Sequence, residues 1–145
     1  MFRRLISTSS TWIPVPLRLA MGAVFVGHGA QKTLGSFGGP GFEKWNSLSS
    51  LPLSFMKPAW LWLGAAAISE LLGGIMILLG LLTRVGAFLT ACVMITAIVS
   101  QHWPAFFAPK GIEYPMSLLA ISLALLISGG GMASVDRALS GGRRR

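Results

Sequence analysis

Four apolar stretches dominate the chain, at residues 15–30, 60–82, 85–101 and 115–128, with polar, glycine-rich or proline-rich segments between them. Crossing a bilayer as a helix takes about 20 apolar residues at about 1.5 Å each. The second stretch meets this outright. The first is short and is extended by Trp12 and Lys32 at its flanks, while the fourth must recruit neighbours on either side. Only Thr83 and Arg84 separate the second and third, which predicts a tight antiparallel hairpin. In the segment 33–58, Gly35, Gly38, Gly39, Pro40 and Gly41 break any helix. Beyond them Phe42, Trp45 and Leu48 recur every three residues among Glu43, Lys44, Asn46 and Ser47, which predicts a short amphipathic helix on the membrane surface, ended by Pro52. The segment 102–114 carries Trp103, Phe106 and Phe107, an aromatic belt at the bilayer interface. Gly129, Gly130 and Gly131 stop the last helix. The pattern predicts an all-α integral membrane four-helix bundle.

Composition agrees with lipid as the solvent. Apolar residues make up 53% of the 145 and charged residues 11%, against about a quarter charged in a soluble domain. A soluble fold of this size has too little interior for such an excess. The net charge of +8 is concentrated at the ends, with Arg3 and Arg4 at one and Arg137 and Arg143 to Arg145 at the other. The hydrophobic chain between them makes an anionic leaflet a better partner than nucleic acid. Residues 1–10 are basic and rich in Ser and Thr like a targeting signal, but Pro14, Pro16 and Arg18 interrupt the apolar stretch beyond them, so a retained first span is expected. Seven arginines (Arg3, Arg4, Arg84, Arg137, Arg143 to Arg145) fall on one side of a four-span topology and four lysines (Lys32, Lys44, Lys57, Lys110) on the other. That asymmetry places both termini in the cytoplasm. The expected organisation is a basic N-terminal segment (1–14), a transmembrane domain (15–130) and a basic C-terminal tail (131–145).

Glu70 is the informative residue, a lone carboxylate at mid-span where an unpaired charge costs several kcal/mol. Ala66, Ala67, Gly73 and Gly74 share its face, small enough for another helix to approach, so Glu70 is expected to point into the bundle. If Glu70 is level with Val24, Arg18 lies about 9 Å below and His28 about 6 Å above, within side-chain reach. An Arg18–Glu70–His28 cluster is then geometrically possible. It has two readings: an ion pair that fixes helix register, or a proton-handling site. His102 is expected at the level of His28. Two histidines there suit a quinone headgroup, a proton or an incomplete metal site, to which Glu113 could add a third ligand without support from its spacing. Beside Trp103, His102 also reads simply as an interfacial residue. Cys92 stands alone, which excludes an internal disulfide or a Cys-x-x-Cys centre; it reads as a small packing or lipid-facing residue. Residues 35–41 lack the Lys and the flanking strand of a phosphate loop, and no hydrolase or zinc-protease motif occurs.

The order of motifs resembles the DoxX family of small bacterial membrane proteins. The residues that carry it are Arg18, Gly22-x-x-Phe25-x-x-His28-Gly29-x-x-Lys32, Glu70-x-x-Gly73-Gly74, Gly80-Leu81-x-Thr83-Arg84, His102, Tyr114-Pro115 and Ser134-x-Asp136. The stretch from Gly129 to Ser134 departs from it, lacking the Gly-Pro-Gly and the basic residue of many members. The resemblance implies a four-helix membrane bundle, and a link to thiosulfate oxidation with quinone reduction or to redox-stress complexes. It also implies a relation to membrane proteins that handle disulfides, a two-cysteine chemistry that Cys92 alone cannot perform.

The expectation is thus an inner-membrane, multi-pass accessory or quinone-linked subunit of a redox system. If it is enzymatic, Glu70, His28 and Arg18 form the proton and quinone cluster, and His28 and His102 contact the quinone. The expected partners are the lipid bilayer and either a redox enzyme or further copies of the chain. A non-catalytic scaffold and a small transporter built around Glu70 are the alternatives.

Overall fold

A computed structural model describes residues 2–47, 56–107 and 109–141. The fold is all-α. A short helix, α1 (Phe2–Leu5), precedes the long α2 (Pro14–Leu34). A single 3-10 turn, Ser36–Gly38, leads to the short α3 (Gly41–Asn46). Two antiparallel helices follow, α4 (Ala59–Leu79) and α5 (Thr83–Ala97), the latter continued by a π turn at Ile98–His102. The chain closes with α6 (Glu113–Ser128) and the short α7 (Val135–Leu139). Ala59–Leu79 and Thr83–His102 are long and apolar enough to cross a membrane. Helix α6 is apolar but shorter, and α2 is long but carries Arg18 and Lys32.

Helix α2 runs further than its apolar stretch. Pro14 opens it, where a missing N–H costs nothing, and Gly35 closes it in the left-handed region (φ 71°). Gln31, Lys32 and Thr33 therefore sit in its last turn. The amphipathic segment forms only in part: α3 presents Trp45 to its neighbours, while Leu48 and Pro52 lie outside the described residues.

Helix α2 packs on α4, α4 on α5, α5 on α6 and α6 back on α2. The core between them is built from Met21, Phe25, Ile77, Ala87, Met94, Leu118 and Leu125. Glycines set the α2–α4 register. A Cβ on Gly22 would stand 2.8 Å from the Leu78 Cα, one on Gly29 2.5 Å from the Leu71 nitrogen, and one on Gly74 2.7 Å from the Val26 nitrogen. Backbones this close admit no side chain. Because Gly22 faces Leu78 and Gly29 faces Leu71, Lys32 is level with Ile68, and Leu34 with Ala66. Helix α2 thus ends short of the first turns of α4, and α3 covers them: Trp45 Nε1 donates to the Leu63 carbonyl at 2.9 Å.

The opposite end, at the α4–α5 turn, is closed by charged side chains that satisfy helix termini. Asp136 accepts from the Leu82 and Thr83 amides at 2.6 and 2.8 Å and from the Thr83 hydroxyl at 2.7 Å, so its carboxylate caps the N-terminus of α5. Arg84 donates to the carbonyls of Leu126 (2.7 Å) and Ile127 (2.8 Å) at the C-terminus of α6, and to that of Ser7 (3.0 Å). Both terminal segments are held here: Ser9 donates to Ser128, and Met132 to Thr11, through backbone bonds of 2.8 and 3.0 Å. The segment expected to be a basic tail is therefore docked as far as α7, with Asp136 only 1% exposed.

Candidate functional site

Glu70 is 3% exposed and points inward, as its small neighbours on α4 predict. Its partner is Lys32. The ammonium donates to both carboxylate oxygens, at 2.5 and 2.6 Å. The Trp45 ring lies over the same ammonium, 4.7 Å from nitrogen to centroid. Three elements thus converge on one charge pair: α4 supplies the acid, the last turn of α2 the base, and α3 the aromatic cover. Tyr114, half exposed, stands at the start of α6. The Asn46 Oδ1, next to Trp45 in sequence and close to Gly64, is buried and has no hydrogen-bond partner among the described residues.

This set defines the chemistry available. A carboxylate and an ammonium in bidentate contact neutralise each other in a place where an isolated charge is costly. The indole face favours a cation and screens it from water. At the same end of the bundle, the Asn46 amide oxygen near Gly64 and the half-exposed Tyr114 phenol at the start of α6 offer an acceptor and a donor.

The expected Arg18–Glu70–His28 geometry is not the one found. The glycine register puts Glu70 level with Ala30 rather than Val24, a displacement of six residues, or about 9 Å. Arg18 then lies about 18 Å from that level along the axis. It is 2% exposed and donates to the carbonyls of Ala133 and Leu78 at the α4–α5 turn end. A Cβ on Gly80 would collide with its guanidinium, so the glycine at that turn makes room for it. His28 is exposed on α2 and has no hydrogen-bond partner among the described residues. His102 lies in the π turn, where its Nδ1 is 3.1 Å from the Lys110 carbonyl oxygen. Cys92 is exposed on α5.

Lys32 and Trp45 are site residues that sequence reasoning misses. Taken alone, Lys32 suits a membrane interface and Trp45 the membrane surface. The signal that points to Lys32 is its place one turn beyond His28, as the one lysine or arginine on the half of α2 that lies level with Glu70.

The DoxX family model matches residues 13–103, which span α2 to α5 and include Arg18, His28, Lys32, Trp45, Glu70 and His102. No curated protein and no solved structure matches the chain.

Proposed function

The chain belongs to the DoxX family, and from that premise we propose a four-span inner-membrane protein, both termini cytoplasmic, that serves as a quinone-linked accessory subunit of a membrane redox system. The observation that carries the reading is the buried Glu70–Lys32 pair under Trp45. A quinone headgroup fits these residues in kind. Its oxygens accept from the Lys32 ammonium or the Tyr114 phenol. A hydroxyl of the reduced form has an acceptor in the Asn46 Oδ1, and the Trp45 ring offers a stacking face. A bound quinone supplies two-electron chemistry, with the electrons drawn from a partner enzyme. The part of this chain is to hold a proton on the Glu70–Lys32 pair and pass it to the headgroup. His28, exposed on α2 at the level of Leu72, stands where a headgroup arriving through lipid would meet a first hydrogen-bond donor.

A scaffold without chemistry is the second reading. It is favoured by the turn end, where Arg18, Arg84 and Asp136 all serve helix termini.

Purification in native lipid, followed by mass spectrometry of bound small molecules, tests the quinone. We expect quinone to co-purify with the unaltered chain and to be lost with Lys32→Met. A stoichiometric protein partner with no quinone in either preparation would favour the scaffold. Reporter fusions test the topology: cytoplasmic signals are expected at Arg84 and Arg145, and the opposite at Ser47 and Pro109. A non-cytoplasmic signal at Arg145 would overturn the orientation.

A further inference from the structure

The arginines at the α4–α5 turn end fall into two groups. Arg18 and Arg84 are occupied: their guanidinium groups bind the carbonyls of Leu78 and Ala133, and of Ser7, Leu126 and Ile127. The side chains of Arg3, Arg4 and Arg137 make no hydrogen bond or ion pair among the described residues, and Arg3 and Arg4 are exposed. These three are brought to one end by the same staples. Arg84 binds Ser7, two residues after α1, and the Asp136 amide donates to the Gly80 carbonyl at 2.8 Å, which fixes α7 beside the turn.

No exposed acid offsets them there. Of the four acids, Glu43, Glu70 and Glu113 belong to α3, mid-α4 and the start of α6, away from the turn. The fourth, Asp136, is buried and binds α5. Trp12, 64% exposed, sits just before α2 at the same end, as an indole at headgroup depth would.

We propose that this end is a phospholipid collar, in which Arg3, Arg4 and Arg137 bind the phosphates of anionic lipids while Arg18 and Arg84 hold the fold. The occupant is lipid rather than nucleic acid or an acidic protein because the arginines lie at the end of an apolar bundle, with an exposed indole at the same end. The collar rests on the membrane reading but not on which leaflet it meets. A guanidinium near an anionic surface adds roughly fivefold to the preference for that surface, so each of the three sites should favour an anionic over a zwitterionic phosphate by about fivefold.

The test uses the full chain in neutral detergent, titrated with phosphatidylglycerol or phosphatidylcholine, with thermal unfolding read by tryptophan fluorescence. Phosphatidylglycerol should raise the midpoint at a concentration about fivefold below that needed of phosphatidylcholine. The triple variant Arg3→Gln, Arg4→Gln, Arg137→Gln should fold and lose most of that preference. Arg84→Gln should lower the midpoint in both lipids and keep the preference, which separates a fold defect from a binding defect. An unchanged preference in the triple variant, with loss on replacing Arg143 to Arg145 instead, would overturn the collar. So would an unaltered chain that responds alike to both lipids, or one stabilised by polyglutamate and not by phosphatidylglycerol. Because detergent has no leaflets and both ends of the bundle meet the added lipid, a failed orientation would show in the fusions and leave this result untouched.

Discussion

Lys32 reaches Glu70 from the last turn of α2, and Trp45 closes over the contact while anchored through Nε1 to the Leu63 carbonyl. Trp45 therefore has two separable roles. Trp45→Phe keeps an aromatic face over the ammonium and loses the indole hydrogen bond, which should lower stability by about 1 kcal/mol. Trp45→Leu loses both the bond and the cation–π contact, and should lower it by about 2 kcal/mol. Thermal unfolding of the purified variants in detergent checks the order; equal losses would mean that the ring face contributes nothing.

Two neighbouring glycines of α2 should respond in opposite directions. A Cβ on Gly29 would stand 2.5 Å from the Leu71 backbone, whereas one on Gly27 would have nothing within 4 Å. Gly29→Ala must push α2 away from α4, with a loss of about 2 kcal/mol or more. Gly27→Ala only removes the conformational freedom of a helical glycine and should stabilise by up to about 1 kcal/mol. The comparison is again of unfolding midpoints. A Gly29→Ala as stable as Gly27→Ala would contradict the register that sets the position of Glu70.

That register explains what could be read from the sequence and what could not. The apolar stretches locate α2, α4, α5 and α6, because periodicity and length are local properties of the chain. Glu70 is also legible as inward-facing, since Ala67, Gly73 and Gly74 lie near it on one helix. Its partner is not legible. Matching helix centres puts Val24 at its level, but close approach at Gly22, Gly29 and Gly74 slides α2 by about 9 Å. A relation between two helices depends on how their surfaces fit, and no single segment encodes it. The role of Asp136 is hidden for the same reason: it lies 53 residues from the Thr83 amide that it caps.

Asp136 should be among the positions of the turn end least tolerant of change. Its carboxylate receives three bonds at the start of α5, two of them from amides that have no intrahelical partner. Asp136→Asn keeps one acceptor oxygen and should cost about 1 to 2 kcal/mol; Asp136→Ala leaves the Leu82 and Thr83 amides unpaired and should cost about 3 kcal/mol. Hydrogen exchange localises the effect. Faster exchange is expected at the first turn of α5 and in the α4–α5 turn, with the Glu70 site unchanged. A uniform rise across the bundle would show that the cap holds more than this end.

The charge pair itself separates architecture from chemistry. Removing one member leaves the other buried and unpaired, so Glu70→Gln and Lys32→Met should each destabilise, by about 3 to 5 kcal/mol where the charge is fully trapped and less where it escapes to water. Glu70 is 4% exposed in its side chain and Lys32 20%, so stranding Glu70 by Lys32→Met should be the more damaging single change. The double variant replaces both charges with neutral groups of similar size and should recover most of the stability, as double replacement of a buried pair commonly does. Function then decides between the readings. If the pair only pins α2 to α4, the double variant should complement a deletion strain under oxidative or thiol stress as well as the unaltered gene does. If the pair carries a proton to a bound headgroup, the double variant should reach normal membrane levels and fail to complement. We expect the failure. Gln and Met carry no titratable group, so the double variant has nowhere to hold the proton and lacks the Lys32 donor to the headgroup. Full complementation at normal protein levels would reduce the Glu70–Lys32 pair to a structural pin.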